Sequence, residues 1–284
     1  MNGTNGVADG AIAGVAFTGH GWAMDFAVIA LVAALASALT LYSGFGLGTI
    51  LVPAFSLFFP APIAVAATGA VHLLNNLFKG SLLWRRADWP TVLRFAVPAV
   101  PAAIAGAWLL ALLGDTPRLF AWHAFGRQFG PTGAGLTIGL LLILFAALEL
   151  QTWFQRLAAP PRLMWLGGLL TGFFGGLTGH QGALRSMFLL RASLPADRVV
   201  ATGAMIAILV DLARLSTYAA TFTASGVMLA GRQGALVLVG TLAAFAGAYA
   251  ATRHLDKLTI GAVRSAVAAL MFVIGAAMVA GLIG

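Results

Sequence analysis

The chain has 284 residues, 61% of them hydrophobic and 8% charged, with a formal net charge of +8 and no cysteine. Soluble domains carry about 25% charged residues, so an ordinary water-exposed surface is excluded, and the missing cysteine excludes disulfides, thiolate metal sites and thiol redox chemistry. The basic residues lie mostly in loops beside apolar segments, where they set membrane orientation rather than bind nucleic acid.

Residues 1–24 are rich in Gly and Ala, hold no Lys or Arg and lack the apolar middle of a signal peptide; they read as a short polar tail. The first apolar run covers 26–42 and stops at Ser43-Gly44-Phe45-Gly46-Leu47-Gly48. Residues 50–59 follow, with Pro53 inside and Pro60-Ala61-Pro62 behind. About ten residues make ~15 Å of helix, half a bilayer. Spans at 63–84 and 91–113 come next, the second expected to kink at Pro98 and Pro101. A polar loop at 114–131 and a span at 135–150 complete the half.

The order then recurs. Residues 163–177 are apolar and stop at Thr178-Gly179-His180-Gln181-Gly182-Ala183-Leu184-Arg185, a second short segment contains 187–190, and spans follow at 199–222, 229–251 and 260–283. Ala67-Thr68-Gly69-Ala70 returns as Ala201-Thr202-Gly203-Ala204, and Ser43-Gly44 and Pro60 find counterparts in Thr178-Gly179 and Pro195 at almost the same spacing. The expectation is an all-α polytopic membrane protein, an inverted repeat of two five-segment halves, each with a broken or re-entrant helix pair. The divisions are a tail at 1–24, a first repeat at 25–151, a cytoplasmic linker at 152–162 and a second repeat at 163–284. If each apolar segment changes sides, one face receives Arg85, Arg86, Arg156, Arg162, Arg191, Arg198, Arg253 and Lys257. The positive-inside rule then puts both termini outside the cytoplasm. Inverted repeats with matching helix breaks are the pattern of a secondary transporter whose substrate sits near the midplane.

The Gly-rich break Gly44-Phe45-Gly46-Leu47-Gly48 with Pro53, the run 64–68, the basic-Asp-Trp loop at 85–89 and the recurring Gly175-Gly176-Leu177-Thr178-Gly179 and Ala201-Thr202-Gly203 carry a resemblance. Over most of 26–283 the chain resembles the sulfite exporter TauE/SafE family, also called the toluene-sulfonate uptake permeases. That resemblance implies movement of sulfite, organosulfonates or other small, mostly sulfur-containing anions across a bacterial-type plasma (inner) membrane.

The polar residues inside apolar sequence are the candidate substrate ligands. Arg185 could bind an anion by a bidentate fork, with Gly179 and Gly182 letting backbone N–H groups approach it. The bland alternative is an arginine that caps a helix C-terminus or reaches the surface. His180 and Gln181 could donate to an oxyanion, and His180 could couple transport to protons; alternatively both satisfy backbone carbonyls at the break. Asp211 and Arg214 are three apart and read either as a buried intrahelical ion pair or as groups facing the site. Asn75, Asn76 and Lys79 fall near the corresponding place in the first half, and Lys79 could instead extend to the Arg85 surface. Ser43, Gly44 and Thr178 sit at the breaks. Thr68 and Thr202, each followed by Gly, fit helix packing as well as hydroxyl contacts. His20, His123 and His254 read as inert, and Glu149 as a residue reaching the cytoplasmic surface. Only the second break carries His, Gln and Arg, so the second half is expected to supply most charge recognition.

No phosphate loop, HExxH or GxSxG pattern appears with plausible partners, so no enzyme is read here and no cofactor or metal is expected. The reading is an alternating-access secondary transporter of a small anion, with the lipid bilayer as its other partner. A coupling ion (proton or sodium) and a homodimer are compatible with it, and nucleic acid is not a partner. A passive anion channel or permease, and a membrane-embedded accessory protein or enzyme, are the alternatives.

Overall fold

A computed structural model describes residues 22–43, 46–124, 126–155, 160–189, 194–224, 231–254 and 260–284. The first half forms α1 (Trp22–Ser43), α2 (Leu47–Ser56), α3 (Ala61–Leu83), α4 (Trp89–Gly114) and α5 (Gly133–Leu150). A single turn, α6 (Thr152–Gln155), leads to α7 (Met164–Thr178), α8 (Gly182–Leu189), α9 (Ala196–Ala224), α10 (Arg232–His254) and α11 (Ile260–Val279). Among the described residues five helices, α3, α4, α5, α9 and α10, are long and apolar enough to cross a membrane. The protein is an all-α polytopic integral membrane protein.

Local chemistry sets the boundaries. Pro60 precedes α3 and Pro62 lies in its first turn, where a missing N–H costs nothing. Asp88 caps α4 by accepting from the Thr91 amide at 3.1 Å. That bond, with Arg198 nearby, holds the Asp88 carboxyl below the usual carboxylate range. Thr132 caps α5 by accepting from the Gly135 amide at 3.0 Å. Helix α4 runs on through Pro98 and Pro101. The polar loop at 114–131 is partly structured: β1 (Trp122–Ala124) and β2 (Arg127–Phe129) form an antiparallel ribbon. The Trp122 indole fastens this ribbon to the end of α11 by donating to the Ala280 carbonyl at 2.9 Å.

Packing follows the order of the halves. Helix α4 lies along α7 as α10 lies along α1, while α3 packs on α9 and α5 on α11. Exchanging the two sets of five helices reproduces these pairings. The α4–α7 seam is built from small residues: a Cβ on Gly168, Gly172 or Gly176 would stand 2.3, 2.1 or 2.1 Å from a carbonyl oxygen of α4. Helices approach this closely in a membrane only where side chains are absent. Gly172→Leu is therefore expected to prevent α4 and α7 from docking, seen as loss of the monodisperse size-exclusion peak in detergent.

At one end Arg86 pairs with Asp197 at 3.4 Å and Arg198 with Asp88 at 3.0 Å, joining the turn before α4 to the start of α9. The Asp88 amide also donates to the Thr202 hydroxyl at 2.9 Å. Separately, Asp25 pairs with Arg232, which joins the starts of α1 and α10. Glu149, expected to reach the surface, is buried.

Candidate functional site

The two helix breaks meet. Gly46, at φ 129°, turns the chain into α2, and its carbonyl accepts from the Ile50 amide at 2.9 Å. Gly179, at φ 80°, is the left-handed C-cap of α7 and turns the chain toward α8. A Cβ on Gly48 would lie 2.7 Å from the Gly179 carbonyl oxygen. The start of α2 thus touches the turn between α7 and α8 through bare backbone, and the first-turn N–H groups of α2 and α8 have no acceptor within their own helix.

Beside this contact is a cavity of about 60 Å³, walled by Gly46, Gly48 and Thr49, by Gly179, Gly182, Arg185 and Ser186, and by His72, Asn75, Asn76 and Lys79 of α3. Lys79 and Arg185 are only 8% and 5% exposed, and neither has an ion-pair partner among the described residues. Arg185 keeps one long hydrogen bond, donated to Gln181 Oε1 at 3.4 Å. Its guanidinium passes over Gly203, where a Cβ would come within 3.4 Å of Nε. Asn75 accepts from the Ser37 hydroxyl at 3.2 Å through Oδ1, and its buried Nδ2 has no partner. The wall therefore offers N–H donors and two unneutralised cations, with no carboxylate on its surface.

Behind the wall lies a buried network centred on Asp211. Asp211 binds His72 Nδ1 at 2.6 Å, accepts from Gln181 Nε2 at 2.8 Å and from Arg214 Nε at 2.9 Å. Arg214 also donates to the Gly175 carbonyl at 2.9 Å, and the Tyr218 hydroxyl donates to the Gly176 carbonyl. Tyr218 thereby satisfies a carbonyl left open where α7 stops, and Arg214 adds a second donor to the Gly175 carbonyl, which also accepts from the Gly179 amide at 3.1 Å. A Cβ on Gly69 would lie 3.3 Å from Arg214 Cζ, so both Gly69 and Gly203 of the repeated Ala-Thr-Gly-Ala runs make room for a buried arginine.

The expected site residues divide accordingly. Arg185, Gly179, Gly182, Asn76 and Lys79 line the cavity. Asp211 and Arg214 form the intrahelical pair at 2.7 Å, fully buried and off the cavity wall. Gln181 bridges that pair to Arg185. His180 is directed away by the turn at Gly179: its ring stacks on Phe145 at 5.0 Å and its Nδ1 lies 3.1 Å from the Thr178 carbonyl and hydroxyl oxygens. Thr178 donates to the Phe174 carbonyl at 3.1 Å. Gly44 and the side chain of Ser43 lie outside the described residues.

From the first half, Lys79, His72 and Asn75 also stand on the wall. His72 is the residue sequence reasoning missed. The signal was its spacing, four residues before Asn76 and seven before Lys79, on one face of α3. Among the described residues no cluster of His, Asp or Glu could hold a metal ion.

The chain matches no curated protein and no solved structure. A family model described as "Sulfite exporter TauE/SafE" matches residues 29–278, nearly the whole chain, and the protein belongs to that family of membrane transporters.

Proposed function

We propose that the protein is an alternating-access secondary transporter of sulfite or a similarly small sulfur oxyanion, held where the two helix breaks meet. The family implies a membrane permease for sulfite and related sulfur compounds. The observation that carries the finer reading is the pair of buried cations, Lys79 and Arg185, on one small cavity, neither with an ion-pair partner among the described residues. An unpaired ion in a low-dielectric interior costs several kcal/mol, and one bound anion offsets that cost for both. The Asn75 amide and the first turns of α2 and α8 add N–H donors on the same wall. A single water needs about 10–15 Å³ of such space. A cavity of about 60 Å³ thus has room for a few heavy atoms, the size of sulfite, and an aromatic sulfonate needs the site to widen.

In this reading Arg185, Lys79, Asn76, Gly179 and Gly182 contact the anion. Thr178, His180, Gln181, Asp211 and Arg214 hold the break in shape. The exchange-symmetric packing of the two halves supports an inverted repeat, and rocking of one half against the other would expose the cavity alternately. The Arg-rich end, with Arg86 and Arg198, faces the cytoplasm of a bacterial-type cell and both termini lie outside.

The test is flux in proteoliposomes. Unlabelled sulfite preloaded inside should drive uptake of external labelled sulfite above equilibrium by counterflow, which a passive channel cannot produce. Equilibration without overshoot would overturn the transporter reading. Gly48→Val, which forces the breaks apart, should cost about 1–3 kcal/mol of stability. It should also slow this uptake, checked by melting curve and flux in one preparation.

A further inference from the structure

His72 touches both the cavity and the network behind it. Its ring lines the cavity, and its Nδ1 is 2.6 Å from Asp211 Oδ2. Asp211 is held in turn by Arg214 and Gln181, and Gln181 accepts from Arg185. Arg185, Gln181, Asp211 and His72 thus form one continuous chain, running from α8 through α9 to α3 and from the second half to the first. Asn76 Nδ2 stands 3.1 Å from the ring's Nδ1 and donates to the His72 carbonyl at 2.8 Å. The charges acting on the ring are Asp211 and Arg214 of α9 and Arg185 of α8, with Lys79 two turns along its own helix and no titratable residue in α2.

Resting on the transporter reading above, we propose that His72 is the proton-binding site that couples anion movement to protons. The role moves from His180, which is turned away from the cavity against Phe145. In neutral His72, Nδ1 carries the hydrogen donated to the Asp211 carboxylate, so an incoming proton adds to the lone pair on Nε2 and nothing leaves. The imidazolium is then a third positive charge on the wall beside Lys79 and Arg185, so a bound anion favours the proton. By linkage the proton favours the anion by the same factor. The same event turns the contact between α3 and α9 from a neutral donor on a carboxylate into an ion pair, altering a joint between the two halves.

Two readouts test this. The first uses proteoliposomes with the membrane potential clamped and a pH gradient imposed, measuring labelled sulfite in excess of that in protein-free vesicles. Wild type should accumulate sulfite about tenfold per coupled proton for each pH unit. His72→Gln should still exchange labelled sulfite by counterflow, if more slowly, but should lose the excess driven by the gradient. Undiminished gradient-driven excess in His72→Gln would overturn the proposal while leaving the transporter reading intact. Absence of any protein-dependent sulfite flux in wild type would instead sink that reading, and this proposal with it. The second readout needs no variant. Sulfite added to weakly buffered wild-type protein in detergent should remove protons from solution beyond those sulfite itself takes up, and no such uptake between about pH 5 and pH 8 would overturn the proposal even if His72→Gln did not fold.

Discussion

Arg185→Gln is expected to abolish measurable sulfite binding and flux without destabilising the empty protein. Removing one member of a buried charge interaction costs about 2–5 kcal/mol of binding, on the order of a hundredfold or more in affinity. Arg185 has no carboxylate partner to strand, because Asp211 is already held by His72, Gln181 and Arg214. Its charge therefore burdens the unliganded fold, and a neutral amide of similar reach relieves that burden. Melting curves should show the variant at least as stable as wild type without sulfite, and without the upward shift that sulfite gives wild type. Lys79→Met should behave alike. A merely structural arginine would give the opposite pattern, a lower melting temperature with the sulfite shift retained.

Asp211→Ala should do the reverse and cost the fold itself. Arg214 is completely buried, and Asp211 is its only ion-pair partner among the described residues. Stranding a buried charge costs about 3–5 kcal/mol, a large share of the about 5–15 kcal/mol that holds a typical protein together. His72 and Gln181 lose their acceptor in the same step. The expected result is a collapse in the yield of monodisperse protein. Replacing both members, Asp211→Leu with Arg214→Met, removes the stranded charge and should recover folded material, because paired apolar replacements of buried ion pairs are often neutral or better. The recovered protein should not transport, since the Gly175 carbonyl has lost its cap from Arg214 and Gln181 its anchor at Asp211.

Much of the fold was legible because a bilayer narrows the options to helices of fixed minimum length. The breaks were legible because Gly46 and Gly179 adopt backbone angles that suit glycine, and because each is followed by a helix too short to cross. The ribbon at Trp122–Phe129 was not, since three-residue strands carry too little pattern. In the site, Arg185 stood out as a charge in apolar sequence. His72 did not, because a lone histidine in Ala- and Val-rich helix is ordinary until Asp211, more than a hundred residues on, is seen to meet it. The placements of His180 and Lys79 depend on facts of direction that composition does not encode. A left-handed turn at Gly179 points one ring toward α5, and the face shared with Asn76 points one ammonium toward the cavity.

The claim that one small anion sits between the two breaks is tested most directly by locating it. Selenite, the heavier congener of sulfite, should be added to crystals at a concentration that blocks sulfite flux, and its selenium found by anomalous scattering. The account predicts a single strong peak in the cavity, within contact distance of Arg185 and Lys79 and beside the first turns of α2 and α8. A peak elsewhere in the bundle, or none at a concentration that inhibits transport, would contradict it.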